Sequence, residues 1–271
     1  MRLSELHPVF YHTRIAQLRL QRHVQNYTIR KSFARIRQAD TLEYTVKKHQ
    51  SLLRRRLGST DPQLQENKIV NLKLATARMD GILICPGEIF SFWQLVGKTT
   101  KEKGYIEGLQ LSRGGVKTGV GGGVCQLANL LYWMALHTPM EIIERHHHSF
   151  DPFPDDKRVL PFGSGASVCY NYIDLRFYNP TDTTFQIKVW VAEQHLKGAI
   201  YSHKPLDYSY HIHEKNHRFL KKEHKNYREN EIWRTQIDRR TGEMQEEEFL
   251  IHNFSEVRFS LEEAAISCEV E

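Results

Sequence analysis

The sequence predicts an α+β fold: basic N-terminal helices, then a core in which one buried helix packs on antiparallel sheet. Three observations carry this. Residues 127–136 are almost wholly apolar, follow a glycine triplet and read as a helix buried on most sides. Phe185, Ile187, Val189 and Val191 alternate with Gln186, Lys188 and Trp190, the period of a half-buried strand. Asp238-Arg239-Arg240-Thr241-Gly242 separates residues 231–237 from 243–251 as a hairpin turn does. Strands gathered after helices give α+β order.

Bulk properties narrow the class. The 271 residues suffice for one large domain or two small ones, and 40% hydrophobic with 26% charged residues is a globular balance. Mean hydropathy is −0.55, and the longest apolar run is broken by Asn129 and too short to cross a bilayer as a helix. The opening stretch lacks a continuous apolar segment and a small-residue cleavage site, so the expected location is cytoplasmic, with the membrane periphery as a variant of it. Cys85, Cys125, Cys169 and Cys268 are widely spaced and are expected as free thiols. A net charge of +6 admits an anionic partner without identifying it.

Residues 1–58 carry thirteen Lys and Arg against three Asp and Glu. Leu20, Val24, Tyr27, Ile29, Phe33 and Ile36 recur near helical spacing among arginines, which predicts one or two basic amphipathic helices. Such a face is either simply solvated or a patch for an anionic membrane surface or an acidic partner. No DNA- or RNA-binding motif accompanies it, so nucleic acid is not expected. Gly58-Ser59-Thr60-Asp61-Pro62 breaks the chain, and a helix is expected over 65–79, ended by Gly81. Residues 82–85 read as a short buried strand before the Pro86-Gly87 turn, with Cys85 as core. Residues 105–111 and 116–120 form a hairpin about Arg113-Gly114-Gly115.

That hairpin delivers Gly121-Gly122-Gly123-Val124-Cys125-Gln126. The glycines lack the following Lys-Ser or Lys-Thr of a phosphate loop. A thiol in the first turn of a helix meets unpaired N–H groups and the positive dipole end, which favour the thiolate. Cys125 is therefore a candidate nucleophile, and the N–H groups of Cys125 and Gln126 are candidate oxyanion donors. A strand starting at 142 would set His146 and His148 on one face, Arg145 and His147 on the other. His148 is the first candidate base and His146 the second. A strand over 168–177 would present Tyr170, Tyr172, Asp174 and Arg176 on its polar face, Asp174 orienting the histidine, with Asn171 on the opposite face as the alternative. A cysteine helix followed by a histidine strand matches the order of papain-like and transglutaminase-like enzymes. His203, His211, His213, His217 and His224 match no metal-ligand spacing, and neither a metal nor another cofactor is expected.

Five segments in order also carry a family resemblance: PGEIFSFW at 86–93, VGKTTKEKGY at 96–105, GGGVCQLANLLYW at 121–133, ERHHHSFDPFP at 144–154 and LPFGSGASVCYNYIDLRFYN at 160–179. They resemble the VanW family, named after an accessory protein of vancomycin-resistance clusters. The resemblance implies cell-envelope or glycopeptide-resistance biology. In some exported relatives it implies L,D-transpeptidase-type cross-linking of peptidoglycan by the cysteine that is Cys125 here. Gly165 stands where many exported relatives carry an aspartate. The expected division is a basic segment 1–58, a VanW-like core 59–202, and a β-hairpin extension with an acidic tail, 203–271. The expected function is cysteine-dependent acyl transfer or amide hydrolysis on a small-molecule or peptide substrate. The alternative is a non-catalytic module binding an anionic ligand, a membrane surface or a protein partner.

Overall fold

The computed structural model describes residues 8–54, 61–112, 115–147, 150–151, 160–222 and 224–259. In chain order the elements are α1 (Pro8–Thr28), β1 (Tyr44–Leu52), α2 (Gln63–Ala77), β2 (Ile82–Ile84), β3 (Ile89–Ser91) and α3 (Phe92–Val96). The hairpin β4 (Glu107–Ser112) and β5 (Gly115–Val120) leads to α4 (Cys125–Leu136), β6 (Glu141–Glu144) and β7 (Phe150–Asp151). Then come β8 (Arg176–Tyr178), β9 (Phe185–Val191), β10 (His195–Ser202), β11 (Tyr208–Lys222), β12 (Lys225–Asp238) and β13 (Met244–Val257). Helices mixed with antiparallel sheets make the fold α+β, as expected.

The central sheet has the order β1-β10-β9-β2, antiparallel throughout. α4 lies on it, with Leu127, Ala128, Leu130, Leu131, Met134 and Ala135 buried. At the crossing stands Gly198 of β10. A Cβ there would come within 2.7 Å of Leu130 Cδ2 and Met134 Cε, so glycine is what lets the helix approach this closely. A second sheet, β3-β8-β6, joins the same core through the stacked rings of Phe90 and Phe177, 4.3 Å apart. The third, β11-β12-β13, is a long antiparallel meander to which β7 adds a parallel edge.

Three expectations need correction. Among the described residues the N-terminal segment holds one α-helix, within the expected one or two, but residues 44–52 are a strand rather than part of a helical segment. β1 turns His49, Ser51 and then Leu53 inward, an alternation made largely of polar residues and hence invisible as hydrophobic periodicity. The expected strand over 168–177 is reduced to β8. Its first half is a tight turn closed by Cys169 N–H on Ile173 O at 2.9 Å and Ile173 N–H on Cys169 O at 3.1 Å. The C-terminal hairpin is longer than expected, and β11 was not expected at all, because its Lys and His residues mask the strand pattern. The turn at Asp238 is as read: Gly242 takes φ +76°, and Asp238 accepts from Arg240 and Thr241 N–H. The acidic tail and Cys268 lie outside the described residues, as does the Arg113-Gly114 turn.

His137 ends α4, buried, with Nδ1–H on Trp133 O at 2.8 Å. Burial lowers its pKa from 6.5 to about 4. The unfolded chain therefore binds this proton more readily than the folded one. Stability is full above about pH 6.5 and is lost as pH falls towards 4, by on the order of 3 kcal/mol. Urea midpoints across that range should fall less for His137→Gln than for the parent.

Candidate functional site at the start of the buried helix

The glycine triplet is a packing solution. Gly121 and Gly123 take φ +77° and +93°, and a Cβ on Gly122 would stand 2.1 Å from the carbonyl of Gly108 in β4. Two backbones touch there. Asn71 of α2, fully buried, clamps them: its Nδ2 donates to Gly122 O at 2.9 Å and Ile106 O at 3.0 Å, and its Oδ1 accepts from Ile106 N–H at 3.0 Å. Lys68 fills the space a side chain on Gly123 would need, and its Nζ donates to Leu53 O and Gln65 Oε1. Gln126 ties the first turn of α4 to β1 through Ser51 Oγ at 2.9 Å and Leu52 O at 2.8 Å.

Cys125 is the first residue of α4, as expected, and its thiol is hydrogen-bonded to the backbone. Sγ donates to Val168 O at 3.7 Å. Burial pushes its pKa up to about 11, the bond to Val168 opposing only part of the rise and Cys169 adding to it. Desolvation of the thiolate outweighs the helix-start effect anticipated from sequence. His148 lies outside the described residues. β6 ends at Glu144, so His146 is not on a strand; its Nε2 meets Glu144 Oε1 at 3.2 Å.

What α4 offers is a stripe at i, i+4 and i+7 that reads along the segment 163–168. Cys125 meets Val168, Asn129 Oδ1 accepts from Ala166 N–H at 2.7 Å, and the Tyr132 ring lies 5.1 Å beneath the Arg145 guanidinium. Arg145 holds the far end of that segment, with Nε on Gly165 O at 2.9 Å and Nη2 on Gly163 O, while Nη1 is 3.4 Å from His147 Nδ1. Among the described residues no carboxylate pairs with Arg145, and burial pulls its pKa below the usual arginine value. Between the two glycines, Ser164 is 3% exposed and its Oγ has no hydrogen-bond partner. Asn129 and Tyr132 were missed as site residues. Their spacing from Cys125 was the available signal.

Asp174 serves a different cluster. Its carboxylate accepts from Ser91 Oγ at 2.5 Å, Arg176 Nε at 2.8 Å, Leu175 N–H at 3.0 Å and Trp93 N–H at 3.1 Å. Burial raises its pKa against those donors. Next to it Glu144 takes a two-pronged bond from Arg22 of α1 at 2.6 and 2.7 Å, and Asp174 N–H at 2.9 Å. Arg176 reaches on to Asn26 at 2.6 Å. Tyr170 accepts Arg19 Nε at its carbonyl at 2.7 Å and sets its ring edge-on to Trp93. Asn171 is buried with its Oδ1 unpartnered. The predicted residues thus separate into Cys125, Gln126, Arg145 and the glycines around α4, and Asp174, Tyr170 and Asn171 beneath α1.

A cleft of about 660 Å³ lies elsewhere, lined by Tyr44, Leu206, Tyr208 and Arg240 among others, and contains none of the predicted site residues. Among the described residues no three His, Cys, Asp or Glu converge on a metal-sized position, and no helix is long and apolar enough to cross a membrane.

The family model described as "VanW like protein" matches residues 67–201, which run from α2 to the end of β10. The chain is similar to the Vancomycin B-type resistance protein VanW of Enterococcus faecalis (strain ATCC 700802 / V583), 36% identical over 200 residues, covering 74% of this chain and 73% of that protein. It is also similar to the Uncharacterized protein YoaR of Bacillus subtilis (strain 168), 33% identical over 112 residues, covering 40% of this chain and 34% of that one. No solved structure matches the chain.

A thiol with a pKa near 11 holds about 100-fold less thiolate at pH 8 than one at the ordinary value of 9.0. Iodoacetamide should therefore label Cys125 more slowly than an unfolded-chain cysteine, its rate still rising with pH beyond 9. Mass spectrometry of timed digests reads this. Saturation of the rate below pH 8 is the contrary result.

Proposed function

Because the chain belongs to the VanW family, we propose that it serves glycopeptide resistance as a recognition protein for an anionic, peptidoglycan-type peptide. Arg145 anchors the ligand's carboxylate. The observation that carries this reading is a partly buried guanidinium, fixed by two loop carbonyls and an aromatic face, with no carboxylate of its own among the described residues. With Nε and Nη2 committed to Gly165 O and Gly163 O, the guanidinium is held in place and its remaining Nη N–H groups are left to meet a carboxylate, a contact that low local dielectric strengthens. The exposed His146 and His147 flank it.

Cysteine-dependent acyl transfer or amide hydrolysis is the second reading. Its support is that Cys125 shares a helix stripe with Asn129 and Tyr132, along the same segment that Arg145 grips. It requires that segment to move off Sγ, with the thiol pKa falling and His148 brought up as base. The four donors on Asp174 leave that carboxylate a supporting role for the 173–176 backbone.

Calorimetry with a peptidoglycan stem peptide, as free acid and as C-terminal amide, separates the readings. The acid should bind at least about tenfold more tightly, and Arg145→Lys, which keeps the charge but loses the fork, should erase most of that difference. Cys125→Ser should bind like the parent. Equal affinity for acid and amide overturns the proposal. Peptide conversion by the parent, abolished in Cys125→Ser, would install the second reading.

A further inference from the structure

The outer face of α1 carries an aligned row of exposed apolar side chains. The helix turns Tyr11, Ile15, Leu18, Arg22 and Asn26 inward, and Arg19, Arg22 and Asn26 bond it to Tyr170, Glu144 and Arg176. Along the opposite side Leu20, Val24 and Tyr27, at i, i+4 and i+7, are 66%, 59% and 65% exposed, and Ile36 beyond the helix is 59% exposed. Large apolar side chains aligned on one outer stripe mark a contact surface, in contrast to singly scattered ones.

The surroundings of the stripe identify its partner. Between Leu6 and Ala39 the sequence holds no Asp or Glu. Arg14, Arg30, Lys31, Arg35 and Arg37 are exposed there. Arg14 bonds Gln17, Arg30 lies 4.4 Å over the Tyr27 ring, and Arg35 and Arg37 bond carbonyls. Among the described residues none of these five meets a carboxylate at ion-pair distance.

We propose that α1 docks this protein on an anionic lipid surface, with the Leu20–Val24–Tyr27 stripe at the headgroup boundary and the flanking arginines on lipid phosphates. An exposed apolar stripe in a stretch that carries exposed cations and no carboxylate suits an interfacial helix. A nucleic acid would reward the cations and leave Leu20 and Val24 in water. A second copy docking through this face would bring two carboxylate-free stretches together and repel. The inward bonds of Arg19 and Arg22 hold the helix to the body, so lipid binding attaches the whole core. This inference is independent of the ligand assigned to Arg145.

Co-sedimentation of the full chain with phosphatidylcholine vesicles, with and without phosphatidylglycerol, tests it. Binding should require phosphatidylglycerol and weaken as salt rises. Leu20→Gln with Val24→Gln leaves the charge unchanged and should cut partitioning by more than about tenfold, with an unaltered melting temperature because both residues are exposed. Arg30→Gln with Lys31→Gln and Arg35→Gln should remove the preference for the anionic lipid. Equal binding to both vesicle types, no binding to either, or full binding by the Leu20/Val24 double variant overturns the proposal. A concentration-dependent dimer abolished by that variant in sedimentation velocity would do so too, by assigning the stripe to a second copy.

Discussion

The arrangement around α4 depends on one close approach, the contact of the Gly108 and Gly122 backbones under the clamp of Asn71. No side chain fits between them. Three hydrogen bonds from a single buried amide fix both strands of the approach to α2. That contact sets where α4 begins, and so the direction of the Cys125 stripe. With Gly198 thinning the sheet below, the helix settles between the central strands and the 163–168 segment. The position of the thiol follows from backbone packing, and its contact with Val168 O follows from the position. A glycine run before a cysteine thus has two physical meanings. Here it shortens the distance between backbones, where an open anion cradle would have kept it free.

Charge is divided unevenly across the neighbouring elements. Beneath α1, Arg22 and Arg176 face Glu144 and Asp174 in a mutually bonded set, and each carboxylate also takes a backbone N–H. Such a buried set fixes the relative orientation of its elements, and stripping one member would leave uncompensated charge behind. One residue along the chain from Glu144, Arg145 has carbonyls and a ring for company, but no counter-charge among the described residues. Adjacent residues on one segment therefore serve opposite ends, Glu144 closing the structure and Arg145 leaving a charge to be met.

Much of the architecture was legible in the sequence because apolar periodicity determined it. α2, α4, β9 and β10 lie within a few residues of where spacing set them, and the Asp238 turn followed from its own side-chain bonds. Polar residues concealed the rest. β1 is a strand whose Lys, His and Ser positions carry no hydrophobic alternation, and β11 alternates only over 208–213 before a charged run. The 168–177 segment looked like a strand because its residues alternate, yet Asn171 and the Cys169–Ile173 pairing bend it into a turn. At the site, the helix-start position of Cys125 was readable from glycine and cysteine order. The partner of its thiol was not, because that backbone carbonyl comes from Val168, forty-three residues downstream. Arg145 was noted only as a neighbour of histidines. Its unmatched charge emerges only from the fold, where among the described residues no carboxylate pairs with it.

β11 has a further bearing on how the chain behaves among its own copies. It is the outermost strand of the long meander, fifteen residues with one edge lacking a partner strand among the described residues. An open edge of that length is a template on which another polypeptide can pair and aggregate. The strand interrupts itself: its register slips between Lys215 and Arg218, and Asn216 takes φ 54°. Charged side chains line it: Lys215 and Arg218 pair with Glu247 and Glu229, and Lys221 and Lys222 add charge near its end. A kinked, charged border of this kind resists stacking, so the same basic residues that hid the strand from periodicity guard it against uncontrolled assembly.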